Sequence, residues 1–186
     1  MITSPRRWWW RTTVAVIALG FLSWSPLRSW QLAGLSGGQA AIPAGFPCPQ
    51  GQSIEILPSP HISWDEASTA SYNSVPPTSG PHFPFSLATG IYTDPIPDGL
   101  TVHALEHGHI AIHYPLDAPK QTVAALREVA KRHSDQVVLA PYAGIIKGIA
   151  LTAWGCLLLL EKPDERVEEF VVALAGRYRH GWKADA

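Results

Sequence analysis

Five of the eight histidines fall between His82 and His113, and the densest piece is Val102-His103-Ala104-Leu105-Glu106-His107-Gly108-His109. Neutral imidazole and carboxylate groups do two kinds of chemistry well: they move protons and they hold metal ions. Spacing decides which of these residues can act together. On an extended strand, His103 and His107 stand ~13 Å apart at ~3.3 Å per residue. One ion with bonds of ~2.0–2.1 Å to each nitrogen cannot span that distance. On a helical turn the same pair has Cβ atoms ~5–6 Å apart, and one ion can take both. Gly108 is well placed to end such a turn, so the spacing predicts a turn through His107 and a strand beginning at about His109. The other chelating pair is His107 with His109, two apart on one strand face. Taken singly, each of these histidines fits an ordinary half-exposed sheet face, with His103, Leu105, His107, His109, Ala111 and His113 in alternation. It is the whole set, together with His82 and Glu106, that points to a polar site.

His103-Ala104-Leu105-Glu106-His107 also fits the pattern H-x-x-E-H, in which two histidines hold zinc and the glutamate activates water. That pattern works inside a long helix, whereas Gly99 and Gly108 leave barely two turns here, so peptidase activity is disfavoured. Cys48 and Cys156 are the only cysteines, and neither belongs to a C-x-x-C pair. Zinc-finger and thioredoxin-like sites are therefore excluded. Outside the cytoplasm the two can pair, and closing a loop of about a hundred residues stabilises by ~4–5 kcal/mol in the chain-entropy model. A buried free thiol fits equally well, because Cys156 shares a strand face with Trp154, Leu158 and Leu160. Met1 is the only methionine, which argues against a carrier of Cu⁺. Histidine and carboxylate ligands suit Zn²⁺, Cu²⁺ or Ni²⁺ instead.

These residues need elements to position them. Tyr72 to His82 carries Pro76, Pro77, Gly80 and Pro81. That content forbids helix and most strand pairing, and gives a stiff loop presenting His82. Further on, Ile110, Ile112 and Tyr114 alternate as a strand. Asp117 and Pro119 open a helix with Val123, Leu126, Val129 and Ala130 on one stripe. Val137 to Ala140 reads as a short buried strand, and Ile149 to Leu160 as one long apolar strand. Pro163 and Asp164 open a last helix with Val167, Phe170, Val171, Leu174 and Tyr178 inward. His133 and His180 thus read as helix-borne and remote from the site. The pattern predicts an α+β domain: a small mixed or antiparallel sheet with two packed helices, a loop-rich N-terminal half and one N-terminal anchor helix before it.

The organisation expected is a signal anchor or signal peptide over residues 1–30, a linker over 31–58 and a single domain over 59–182. Arg6, Arg7 and Arg11 precede an apolar run from Thr12 to Leu22. The run is shorter than the ~20 residues of a typical spanning helix. Tryptophans 8, 9, 10, 24 and 30 nevertheless flank it as an aromatic belt does, so we expect a retained anchor. The arginine excess puts the N-terminus inside: a single-pass cell-membrane protein with its domain outside the cytoplasm. Arg6-Arg7 reads as ordinary n-region charge rather than a twin-arginine signal. Gly34-Leu35-Ser36-Gly37-Gly38 spells a hydrolase motif by letter, but no strand precedes it and no amphipathic helix follows. The net charge of −1, with no basic stripe, excludes nucleic acid as a partner. Whether a protein or a small molecule is the partner is not legible.

The segments Tyr72 to His82, Gly90-Ile91-Tyr92, Val102 to Gly108 and Ala150-Leu151-Thr152-Ala153-Trp154-Gly155 resemble, in order, the motifs of domain-of-unknown-function family 3105. His61 is similar to that family's upstream histidine. The resemblance covers roughly residues 60–180. It implies a bacterial, often membrane-anchored protein and a site at His61, His82, His103, Glu106 and His107, without supplying a reaction. The leading expectation is an extracytoplasmic domain binding a divalent metal, Zn²⁺ or Cu²⁺, through His82, His103 and His107, with His61 or Glu106 completing the shell. The alternatives are a metal-dependent hydrolase with Glu106 as general base, and a non-catalytic interaction module with structural histidines.

Overall fold

The computed structural model describes Cys48 and residues 51–180. The expected anchor, most of the linker and the last residues of the chain lie outside the described residues. Among the described residues, no helix is long and apolar enough to cross a membrane.

The described chain forms β1 (Gln52–Ser53), α1 (Trp64–Ala67), β2 (Gly90–Ile91), α2 (Asp98–Glu106), β3 (Ile110–Tyr114), α3 (Lys120–Arg132), β4 (Val137–Pro141), β5 (Ile149–Ala153), β6 (Cys156–Leu160) and α4 (Glu165–Leu174). The fold is α+β. One mixed sheet runs in the order β1-β6-β5-β3-β4-β2. β3 and β4 pair in parallel, joined by α3, while β5 runs antiparallel to β3. Every residue of β3, β4 and β5 is buried. Strands covered on both faces read as near-continuous apolar runs, as β4 does, and β3 and β5 each carry one polar residue, His113 and Thr152.

The two faces bury different partners. Ile110, Ile112, Leu139, Leu151 and Leu158 pack on one face with Leu126 and Val129 of α3 and Phe170, Val171 and Leu174 of α4. On the other face, Ala111, Val138, Ala140 and Trp154 pack with Val102, Ala104 and Leu105 of α2, and with Tyr178. The small alanines there leave room for α2 and the histidines it carries.

Two elements differ from the sequence expectation. The run from Ile149 to Leu160 is a hairpin, with Ala153 opposite Cys156 and a turn at Trp154-Gly155. Gly155 makes the turn feasible, at φ 69°. Its backbone NH donates to the Thr78 carbonyl at 3.1 Å and its carbonyl accepts from Ile54 at 2.9 Å, so the turn anchors the proline loop and β1 together. Second, part of the expected linker belongs to the sheet: β1 pairs antiparallel with β6. Cys48 and Cys156 form a disulfide there, with Cα atoms 5.5 Å apart.

Candidate metal centre

The site is assembled from three separate stretches around the C-terminal end of α2. His103 and Glu106 lie on its last turn, and His107 caps it. The rings of His103 and His107 have centroids 4.7 Å apart, as a helical turn requires. The strand begins only at Ile110.

His82 arrives from the proline loop and is fully buried, at 0% exposure. Tyr72 holds that loop: its hydroxyl donates to the Pro81 carbonyl at 2.8 Å, and its ring covers Gly80, whose φ is +121°. Backbone hydrogen bonds then stitch His61 alongside. Ile62 donates to the His82 carbonyl at 2.8 Å, and His82 donates to the Pro60 carbonyl at 3.1 Å. Ser63 caps α1 in a reciprocal capping box with Glu66, which fixes the chain just beyond His61. The His82 ring centroid lies 5.1 Å from that of His61 and 5.3 Å from that of His103. Trp154 forms the floor, its ring 6.4 Å from that of His82, and stacks on Tyr178. Its motif is legible in the sequence; its role is not.

The hydrogen bonds fix which nitrogen each ring offers. His82 Nδ1 donates to the Gly80 carbonyl at 2.9 Å, and His103 Nδ1 donates to the Phe83 carbonyl at 2.7 Å. A carbonyl only accepts, so each Nδ1 carries the proton and a neutral ring turns its Nε2 lone pair to the site. This backbone-carbonyl support is the usual arrangement behind metal-bound histidines. His82 Nε2 lies 3.2 Å from Glu106 Oε2, yet is aligned with no hydrogen-bond partner. Two buried electron-rich atoms facing each other are unfavourable unless a positive charge, either a proton on Nε2 or a metal ion, lies between them.

Burial pushes His103 below the ordinary histidine value, and the nearby His82 and His61 push the same way. Burial likewise lowers His107, helped by His103 and His180. Both rings are therefore neutral at pH 7 and competent as ligands.

One ligand atom from each of His61, His82, His103 and Glu106 lies within 4.8 Å of all the others, and so do single atoms of Glu106, His107 and His180. The set differs from the expected trio of His82, His103 and His107. His61 stands where His107 was expected, and His107 groups with Glu106 and His180 instead. His109 and His113 belong to neither group. His113 is buried in β3 against Tyr142, while His133 pairs with Glu168 at 2.6 Å.

His180 is the residue that sequence reasoning misplaced. It lies beyond α4, not on it, in a segment that folds back on the end of α2. Its backbone NH donates to the Glu106 carbonyl at 3.2 Å, and its Nδ1 lies 3.5 Å from Glu106 Oε2. Helical spacing extended past Leu174 hides that reversal.

Three imidazoles and a carboxylate fit a borderline divalent ion such as Zn²⁺ or Cu²⁺, not a soft or an oxygen-seeking one. Comparisons with curated proteins and with solved structures found no match. The family described as Protein of unknown function (DUF3105) matches residues 63–184, a span that starts just after His61 and takes in His82, α2, the Trp154 turn and His180. The chain therefore belongs to that family.

Proposed function

We propose that the domain binds a divalent transition-metal ion through His61, His82, His103 and Glu106. The observation that carries this reading is the buried His82 Nε2 facing Glu106 Oε2 at 3.2 Å without a hydrogen bond. Glu106 then serves as ligand. The hydrolase reading asks it to stand outside the shell as a base, and its closeness to His82 argues against that. A purely structural role for the histidines needs that pair to be held by a proton alone, and the missing hydrogen-bond alignment of His82 Nε2 speaks against it.

The same reading puts the domain outside the cytoplasm, tethered by the segment before residue 30. The Cys48–Cys156 disulfide supports it, because such bonds persist in oxidising compartments.

Calorimetric titration of the metal-stripped full-length chain with Zn²⁺ tests the binding. His82→Ala and His103→Ala should each weaken it at least as much as losing an outer-shell partner, roughly 10–100-fold. His133→Ala should leave it unchanged. Equal affinity in all four proteins would overturn the proposal.

A further inference from the structure

Glu106 contributes to both groups of candidate ligands. Its Oε2 lies 3.2 Å from His82 Nε2 and 3.5 Å from His180 Nδ1. A carboxylate offers two oxygens and about four lone-pair directions, enough to serve two cations at once. His107 follows Glu106 directly in the chain, and its ring centroid lies 4.9 Å from that of His180. The four-residue group thus takes His61, His82 and His103 with Glu106 and leaves the imidazoles of His107 and His180 beside the same carboxylate.

His180 is held in place by more than chance proximity. Gly176 donates to the Gly108 carbonyl at 2.8 Å, and Tyr178 is buried and stacked on Trp154. Gly108 admits this segment only because it has no side chain: a Cβ there would meet the Tyr178 carbonyl oxygen at 2.3 Å. His180 itself is, among the described residues, the one non-glycine residue at positive φ, 50°. A left-handed histidine is uncommon, and such backbone strain concentrates where geometry serves a ligand.

We propose that Glu106, His107 and His180 form a second site for a divalent transition-metal ion, with Glu106 bridging it to the site of His61, His82 and His103. This rests on the metal-binding reading and extends it from one ion to a pair. Bridged pairs of this kind sit ~3.5–4 Å apart. Among the described residues the second ion has three protein ligands, and it lies beside the exposed His180, where solvent can enter its shell. An exchangeable position of that sort suits a small oxygen ligand.

The test counts ions and measures their spacing. The full-length chain in detergent is stripped, reconstituted with Cu²⁺, desalted and analysed for copper, with electron paramagnetic resonance on the same samples. About two equivalents are expected, with a broadened, spin-coupled signal from ions at the ~3.5–4 Å spacing. His180→Ala and His107→Ala should each fall to about one equivalent and give the sharp spectrum of an isolated ion. Thermal melts of both variants confirm that they fold. One equivalent in the unaltered chain, with both variants the same, overturns the second site and leaves the first standing. Two uncoupled equivalents overturn the bridge. No bound copper overturns both sites together.

Discussion

Glu106 and His82 are the residues on which the chemistry turns. Glu106→Gln keeps the size and removes the charge, and a neutral amide is a far poorer metal ligand than a carboxylate. We predict weaker Zn²⁺ binding, roughly 10–100-fold by titration, with the fold intact by circular dichroism. His113 offers a contrasting case. It is wholly buried, neither ring nitrogen has a partner, and burial pushes it down to about 4. The unfolded chain takes up this proton near pH 6.5, whereas the folded one resists until about 4. Folding therefore binds fewer protons in that window, and stability falls as pH drops through it. The full effect is ~3 kcal/mol, at ~1.4 kcal/mol per unit. In metal-stripped protein, the drop in melting temperature between pH 7 and pH 4.5 should be smaller for His113→Leu than for the unaltered chain. Equal drops would refute the assignment. At this scale the sequence was informative where spacing is local. His103, Glu106 and His107 share a turn by simple helical arithmetic. His61 and His180 come from distant stretches, and no local spacing reports where they meet.

At the scale of elements, the site depends on how α2 ends and what lies against that end. Gly108 is the pivot, at φ +89° and in close contact with the Tyr178 carbonyl. Gly108→Ala adds the left-handed penalty of ~1–2 kcal/mol, and its Cβ clash displaces the 176–180 segment. We predict a lower denaturation midpoint and, because His180 moves away, loss of the second ion before the first. Copper content measured on this variant checks the order of loss. The strands were legible because apolar alternation and buried runs are strong local signals. The hairpin was not: every residue from Ile149 to Leu160 suits a buried strand except Gly155, a single break in an apolar run. The sequence leaves barely two turns between Gly99 and Gly108, whereas α2 starts at Asp98 and takes Gly99 in. Tertiary packing explains the glycine there, for the Phe83 ring comes within 2.8 Å of where a Gly99 Cβ would stand.

Across the whole molecule, one sheet separates two tasks. The α3 and α4 face builds the larger apolar core, and the α2 face carries the candidate centre. The disulfide ties β6, next to the edge strand β1, to the chain before β1, across a separation of 108 residues. In the chain-entropy model, a closure of that length is worth ~4–5 kcal/mol. Reduction should therefore lower the denaturation midpoint markedly, while Zn²⁺ affinity at a subdenaturing temperature stays unchanged, because Cys156 lies on the opposite face from the histidines. The sequence left pairing and free thiol equally open, since neither cysteine has a local partner. On the proposed reading a metal cation belongs between His82 and Glu106. Anomalous diffraction from crystals of the zinc-reconstituted protein, recorded at the zinc edge, tests it most directly. A peak is expected ~2.0–2.1 Å from Nε2 of both His82 and His103, and ~2.0–2.2 Å from a Glu106 oxygen. A zinc-loaded crystal with no peak there, or with zinc only at surface histidines such as His133, would contradict it.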